Sequence, residues 1–390
     1  MNIVHKARQA AVFLISFCLF VSTGYSVDMF WTGNSTTSNV NNSTNWSPYY
    51  GNNSGADVFY SDASRRSAMA FNAAANWNWR SITFTCDSNF NITYNANVGS
   101  IGTSSGITAA ASGSTLRTYS ILDEFRVTAN QTWTTSNQYS KLVVNQAVGN
   151  LSLGANTLTL NTFNHANSTI TIGSAVSGTG SIIKTGGGTA ILSGNNTYTG
   201  TTTINGGTLN ITHVNALGNS TAININGGSL IVSADDSIDG MQITLNGTLT
   251  NVATISFNGN YNGTIGALTL QADSILDLGM ESVSLAFDSI ANIDQYILKV
   301  YNWSGTTLHE GGTGSDIDQL LFGHHLTEAE LNNIHFYGDS FGNDFLGSGY
   351  EIGFHNGFAH IIPVPEPETY ATGILLILGC AGWLYKNKRR

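Results

Sequence analysis

A repeat of about twenty residues constrains what the middle of this chain can fold into. Short segments, each opened by glycines and a small hydroxyl residue, recur between residues 180 and 250. The hydroxyl residues are Thr189, Thr208, Ser229 and Thr248, which are separated by 19, 21 and 19 residues. A fixed period of this length is the sequence signature of an architecture that stacks one small structural unit on the next.

Within each segment, apolar residues alternate with polar ones. Side chains of a strand point alternately to its two faces, so the apolar residues share one face while Thr, Ser and Asn share the other. The predicted inner residues are Ala190, Leu192, Leu209, Ile211, Leu230, Val232 and Leu249. So short a strand cannot bury this face alone, whereas stacked repeats build a continuous apolar column. The polar face is expected to form hydrogen-bonded ladders between repeats.

This pattern predicts an all-β fold, a right-handed parallel β-helix (solenoid) with glycines at its sharp corners. An antiparallel β-sandwich is the alternative, because its short strands also recur at regular spacing. The predicted divisions are an N-terminal β-rich cap at 27–145, the solenoid at 146–290 with its core at 180–211, and a C-terminal cap at 291–362. In the last of these, Thr327 and Glu330 form a capping box that predicts a short helix before a strand at 334–337.

The core of the repeat also carries a family resemblance. The string KTGGGTAILSGNNTYTGTTTINGGTLNI, residues 184–211, resembles the autotransporter-associated β-strand repeat of bacterial surface proteins. The resemblance is specific over these residues and weaker on either side. It implies an exported, passenger-like β-helix.

The N-terminus predicts export. Lys6 and Arg8 precede an apolar run from Ala10 to Val21, and small residues follow up to Ser26. This arrangement is typical of a secretory signal peptide spanning residues 1–26. A retained membrane anchor is the alternative, although the apolar run is short for a membrane span.

The last residues, 363–390, form a three-part tail. The motif Val364-Pro365-Glu366-Pro367-Glu368 precedes an apolar run at 371–385 and a basic end made of Lys386, Lys388, Arg389 and Arg390. The tail resembles the PEP-CTERM sorting signal of exopolysaccharide-producing Gram-negative bacteria. The resemblance implies that an exosortase, a membrane protease, recognises Pro365, Glu366 and Pro367 and removes a single hydrophobic helix held transiently in the inner membrane. The basic end would stop transfer on the cytoplasmic side, and a simple single-span anchor is the alternative.

The charge of the chain limits the binding partners that are expected, and its cysteine content limits the disulfides that can form. Only 10% of the residues are charged, whereas about a quarter is usual. Residues 27–370 hold 24 acids and 8 bases, a net charge of −16, so neither nucleic acid nor anionic lipid is an expected partner. Cys18 and Cys380 lie in the two segments predicted to be removed, which leaves Cys86 without an intramolecular disulfide partner.

Five tryptophans of the N-terminal region allow two interpretations. They are Trp31, Trp46, Trp77, Trp79 and Trp133. Tryptophan is usually largely buried, so the favoured interpretation is that they fill the core or close the end of the solenoid. The alternative is an exposed platform on which sugars stack.

The central repeats contain none of the residue sets that catalysis or metal binding requires. Lys184 is the only formally charged residue between Leu142 and Ala234, whereas hydrolysis needs a paired acid and base and metals need clustered ligands. No catalytic residue, cofactor or metal is therefore predicted. The later acids Asp235, Asp236, Asp239, Asp273, Asp277 and Glu281 are interpreted as solvated corners.

Two further constellations lie in the C-terminal cap. Six histidines are scattered there without metal-ligand spacing: His309, His324, His325, His335, His355 and His360. Residues 311–318 nearly match one calcium-binding nonapeptide, but Asp318 stands where a large apolar residue belongs and the motif is not repeated. Scattered surface histidines and the absence of a calcium site are the preferred interpretations.

Together these features predict a non-enzymatic, exported structural or adhesion protein of the cell surface or extracellular matrix. It is expected to be processed by an exosortase-type protease, with extracellular polysaccharide as its expected partner. The alternative is a carbohydrate-binding or polysaccharide-degrading β-helix protein.

Overall fold

Parallel pairing between successive turns runs through almost the whole of the described chain. The computed structural model describes residues 28–31, 46–47, 56–60, 68–71, 77–94, 100–122, 124–144, 150–304, 318–355 and 357–364. The predicted signal peptide at 1–26 and the predicted sorting helix at 371–385 lie outside these residues. No helix within them is long and apolar enough to span a membrane.

Strands account for nearly all of the regular structure among the described residues. The strands up to residue 135 are β1 (Asp28–Trp31), β2 (Trp46–Ser47), β3 (Asp57–Tyr60), β4 (Ala68–Phe71), β5 (Trp77–Phe84), β6 (Phe90–Tyr94), β7 (Ile101–Ala109), β8 (Arg117–Ile121), β9 (Phe125–Val127) and β10 (Gln131–Thr135). The central strands are β11 (Ser140–Val144), β12 (Asn150–Ser152), β13 (Leu158–Thr162), β14 (Thr169–Ile172), β15 (Ala175–Ser177), β16 (Ile182–Thr185), β17 (Thr189–Leu192), β18 (Thr202–Ile204), β19 (Thr208–Ile211), β20 (Ala222–Ile225), β21 (Gly228–Val232), β22 (Gln242–Leu245) and β23 (Ala253–Phe257). The last elements are β24 (Tyr261–Leu270), β25 (Ser274–Asp277), β26 (Val283–Ala291), β27 (Leu298–Tyr301), β28 (Gln319–Phe322), the helix α1 (Glu328–Asn332), β29 (Ile334–Tyr337), β30 (Phe345–His355) and β31 (Phe358–Val364).

Two long columns of parallel strands build the solenoid. One column runs β1–β3–β5–β7–β10–β13–β16–β18–β20–β22–β24–β26, and the other runs β4–β6–β8–β11–β14–β17–β19–β21–β23–β25–β27–β29. A third, shorter series includes β9, β12 and β15. The fold is therefore an all-β parallel β-solenoid, as the repeat predicted, and the antiparallel sandwich is wrong.

The register places equivalent residues of the repeat directly above one another. Thr189 pairs with Thr208, and Thr208 pairs with Ser229, so three of the four predicted markers align. The predicted inner residues of these three strands, from Ala190 to Val232, are at most 2% exposed. Burial of an aliphatic side chain stabilises the fold by about 1.5–3 kcal/mol, and here each turn supplies its own share to one continuous core.

The fourth predicted repeat is wrong. Thr248 forms a bridge with Asn251 in a tight turn, and Leu249 is 97% exposed rather than inward-facing. The strand that continues the column is β23, in which Thr254 pairs with Ser229. An insertion at 246–252 thus shifts the marker by six residues, because the turn bulges from the stack before the chain re-enters it.

The N-terminal region is itself stacked. β1 pairs in parallel with β3, and β11 pairs in parallel with β14 across the predicted boundary at 145/146, so the change in composition marks no break in pairing. Four of the five tryptophans (Trp31, Trp77, Trp79 and Trp133) are at most 3% exposed, which confirms that they pack in the interior. The side chain of Trp46 lies outside the described residues. Those four tryptophans therefore provide no sugar-stacking platform.

Antiparallel strands stop the parallel growth at the C-terminal end. β31 pairs antiparallel with β28, and β30 pairs antiparallel with both β29 and β31. Just before β29, the hydroxyl of Thr327 accepts from the backbone N–H of Glu330, while the Glu330 carboxylate accepts from the N–H of Thr327 at 2.7 Å. The predicted capping box, helix and following strand are confirmed.

Two leucines of the repeat region provide a matched test of the buried column. Leu209 is fully buried in β19, whereas Leu249 is exposed in the inserted turn. We expect Leu209→Ala to lower the free energy of unfolding by about 2–5 kcal/mol, because it leaves a cavity in the core. Leu249→Ala should change it by less than about 0.5 kcal/mol. Urea unfolding followed by circular dichroism checks both values, and equal effects of the two substitutions would contradict the register.

Candidate functional site: a lysine buried at the repeat corner

Lys184 occupies an inward position of β16, within the apolar column. In the parallel register it lies between Leu160 of β13 and Ile204 of β18. Its side chain has no exposed surface. Burial of a charged group is costly unless its hydrogen-bonding groups are satisfied, so the surroundings of this ammonium decide whether the column tolerates it.

The ammonium of Lys184 is held by carbonyl oxygens of two glycine-rich corners. Nζ donates to the carbonyls of Thr185 at 2.7 Å, Gly186 at 2.8 Å and Gly206 at 3.1 Å. A lysine ammonium has three donors, so all three are used. Because Gly206 belongs to the next turn, this one side chain ties together the corners of two consecutive turns.

Glycine is required where these corners approach the lysine. Gly186 and Gly207 have φ angles of 72° and 65°, a conformation that other residues rarely adopt. A Cβ added to Gly207 would lie 2.7 Å from Nζ of Lys184 and 2.3 Å from the carbonyl oxygen of Gly186. The glycine pattern of the repeat therefore supplies both the turn and the space for the ammonium.

The electrostatic setting of Lys184 is unusual for a buried base. Burial lowers its pKa to about 8. Within the described residues Lys184 forms no ion pair, and carbonyl dipoles take the place of a counter-ion. Since no part of the side chain reaches solvent, its role is to hold the corner rather than to act on a substrate.

A second buried polar residue links three successive turns nearby. The side-chain oxygen of Asn196 accepts from the backbone N–H of Val176 at 2.8 Å, and its amide nitrogen donates to the carbonyl of Ala216 at 2.5 Å. Tyr198 is also fully buried, and its hydroxyl lies 2.8 Å from that of Thr202. These contacts fix the irregular side of the turn, where regular strand pairing is shortest.

The outward face carries the predicted polar ladders. Asn215 donates to the side-chain oxygen of Asn195 at 2.8 Å, one turn away, and Asn226 donates to that of Asn205 at 3.0 Å. These contacts lie on the surface, so each contributes little to stability. Together they leave this part of the solenoid covered by amides and hydroxyls.

Five of the six acids from Asp235 to Glu281 are exposed, as predicted, and Asp277 is half-buried. Asp235 and Asp236 are exposed. The Asp239 carboxylate accepts from the hydroxyl of Tyr261 at 2.6 Å, and partial burial, followed by the charges of Asp236 and Asp235, raises the pKa of Asp239.

The histidines of the C-terminal region have separate partners. His325 lies 2.6 Å from Glu351 and stacks on Phe354, whereas His335 contacts the carbonyl of Asn332. His309 and the side chain of His355 lie outside the described residues. No group of three or more potential metal ligands occurs among the residues that the structure describes.

Asp318, the last residue of the near-calcium motif, is buried and acts within the fold. Its carboxylate accepts from the backbone N–H groups of Val283 and Ser304 and from the Ser304 hydroxyl. Burial raises the pKa of Asp318. An apolar position of the nonapeptide is thus filled by a carboxylate that caps backbone donors.

Of the site residues expected from sequence, the sorting motif Pro365-Glu366-Pro367 and the basic end at Lys386, Lys388, Arg389 and Arg390 lie outside the described residues. Lys184 was not predicted as a site. The signal was present, because the alternation that places Ile182 inside also places Lys184 inside, and no other charge interrupts this part of the repeat.

Comparison with known families places these features in a recognised repeat. The passenger-associated-transport-repeat family matches residues 182–211, which comprise β16 to β19 and include Lys184, its corner glycines and Asn196. Comparison with curated proteins and with solved structures gave no significant match. The repeat and the solenoid together indicate an exported surface protein of the autotransporter-passenger type.

Replacement of Lys184 by Met tests the corner. Met fills a similar volume but removes the three donors, so buried carbonyls lose partners and the free energy of unfolding should fall by about 1–3 kcal/mol at neutral pH. The control is Lys141→Met, which changes an outward lysine of β11 and should alter stability by less than about 0.5 kcal/mol. Chemical denaturation of the three proteins gives the comparison.

The effect of Lys184→Met should grow with pH. The folded chain loses the Lys184 proton near pH 8, whereas the unfolded chain keeps it to about pH 10.5. The unfolded state therefore binds more protons between these values, and the wild-type free energy of unfolding rises relative to the variant by at most about 3 kcal/mol. If the difference in free energy of unfolding between wild type and variant stays constant from about pH 8 to pH 10.5, Lys184 does not titrate in a buried setting.

Proposed function

We propose that this protein is a non-enzymatic structural or adhesion component of the cell surface or extracellular matrix. The observation that carries the proposal is the passenger-associated repeat at 182–211, embedded in an unbroken parallel stack. Each turn pairs with its neighbours, so the stack forms an extended rod held by backbone hydrogen bonds and one continuous core. Such a rod presents many weak hydrogen-bonding groups along its length.

The surface chemistry of the repeats supports a passive role. Amide and hydroxyl ladders cover the outward face, and the one basic group in this part of the solenoid is buried. Acid–base catalysis needs a carboxylate poised beside a second ionisable group over a substrate cleft. At the exposed corner, the Asp239 carboxylate accepts from the hydroxyl of Tyr261, and Tyr261 is only 2% exposed, so this pair is part of the packing of the fold.

The proposed route to the surface uses both ends of the chain. A signal peptide at 1–26 directs export, and the tail at 363–390 is the substrate of an exosortase-type protease. In this scheme Pro365, Glu366 and Pro367 are read by the protease. Lys386, Lys388, Arg389 and Arg390 hold the end on the cytoplasmic side until cleavage. The support is the order of the three parts of the tail in the sequence.

Intact mass of the mature protein from its native host tests the route. We expect a species that lacks residues 1–26 and the residues after the Pro-Glu-Pro motif, found outside the cytoplasm. Replacing both Pro365 and Pro367 with Ala should leave a membrane-associated form that keeps the basic end.

Thr369→Ala, a change in the same tail but outside the motif, serves as the control and should be processed as the wild type is. Processing that is unaffected by the double proline variant would refute recognition of the motif. Recovery of an untrimmed chain from the cytosol would refute the proposed localisation.

A further inference from the structure

A groove on the outside of the solenoid lies beneath the inserted turn at 246–252. Its cavity volume is about 430 Å³, within the range of about 300–1,000 Å³ that small-ligand sites occupy. Leu249 and Val252 of the turn form one side, and Ile275 on the outward face of β25 forms part of the lining. The inserted turn that interrupts the predicted repeat therefore forms one side of a concave surface.

The groove contains an aromatic ring and two opposite charges. Tyr296, Asp273 and Lys299 all line it. Lys299 is the single Lys or Arg between residues 185 and 385 of the sequence, and it forms no ion pair within the described part of the chain. Its placement at the groove is therefore not explained by pairing within the fold.

Asp273 is held in place with one oxygen still available. Its Oδ1 accepts from the backbone N–H of Ile297 at 2.9 Å, which fixes the carboxylate just before the start of β25. The second oxygen accepts no hydrogen bond within the described residues, and Asp273 lines the same groove as Lys299. One charged acceptor and one charged donor thus flank an apolar floor, and their formal charges cancel.

These features match the chemistry of a neutral sugar. One face of a hexopyranose ring presents C–H groups that pack on aromatic and aliphatic surface, and hydroxyls around its edge both donate and accept hydrogen bonds. Tyr296, Leu249 and Ile275 supply the apolar surface, while Asp273 accepts and Lys299 donates. An anionic sugar would meet Asp273 and the −16 charge of residues 27–370, which disfavours it.

The outward face continues from the groove into a row of aromatic rings. Tyr301 lies two residues beyond Lys299 on the same face of β27, about 7 Å along the strand. The ring centroids of Tyr301 and Tyr337 are 5.1 Å apart. The ring of Tyr337 in turn contacts that of Phe345, which is 41% exposed. A chain of linked sugars that enters the groove would meet this row next.

We propose that the groove formed by Leu249, Asp273, Ile275, Tyr296 and Lys299 binds a neutral saccharide, and that the Tyr301–Tyr337–Phe345 row extends the site for a longer chain. The site goes beyond the proposed structural role, because it would give the rod a specific attachment point. It does not depend on the tail or on its processing.

Calorimetric titration of the mature protein with linear oligosaccharides of glucose, galactose and mannose tests the proposal. We expect at least one of these probes to bind. Tyr296→Ala and Lys299→Met should each raise its dissociation constant about tenfold or more, a loss of about 1.4 kcal/mol of binding free energy. Tyr296→Phe should keep most of the affinity because it keeps the ring. Lys141→Met, which changes an outward lysine elsewhere on the solenoid, should leave the affinity unchanged.

Because Tyr296 also packs against the core, Leu249→Ser provides a second variant, at a side chain that is 97% exposed and whose replacement should leave folding intact. It should weaken binding several-fold with an unchanged Tm. The proposal is overturned if no neutral oligosaccharide binds to the wild type, if oligomers of the matching uronic acids bind more tightly, or if Lys299→Met and Leu249→Ser both leave the affinity unchanged. None of these outcomes would bear on export or tail processing, which the intact mass reports separately.

Discussion

The parallel hydrogen-bonded ladder between one turn and the next is the interaction on which the structure depends. Because each strand pairs with the equivalent strand of the following turn, inner side chains are forced to stack on inner side chains. A slip of one residue would turn every apolar side chain of a turn toward solvent. The aligned series Thr189–Thr208–Ser229 shows this register maintained over three consecutive turns.

At the corners, backbone groups leave the strand ladder and need other hydrogen-bond partners, which polar residues inside the solenoid provide. Backbone carbonyls at a glycine-rich corner point inward, where they need donors. Lys184 supplies three hydrogen bonds to two corners, and Asn196 links Val176 to Ala216 across three turns. A charge in the core is tolerated here because it replaces water for carbonyls that the fold itself creates.

Irregularity in the repeat is also the origin of the most distinctive surface. The extra residues at 246–252 cannot be accommodated in a strand, so they project outward and leave Leu249 exposed above the groove. Tryptophans are packed inside at the N-terminal end, whereas tyrosines and Phe345 line the outside at the C-terminal end. The interior provides stability, and the aromatic rings on the outside are the ones that we propose to take part in saccharide recognition.

The sequence by itself determined the fold class, the inner residues from Ala190 to Val232 and the capping box at Thr327, because alternation, period and local capping are properties of neighbouring residues. Only the tertiary structure decided that Thr254 rather than Thr248 continues the column, and that the N-terminal region is part of the stack. The partners of Lys184 and the groove at Lys299 also required it. The physical reason is that register between turns, and the contacts it creates, joins residues twenty or more positions apart, and no local pattern specifies where an insertion leaves the stack.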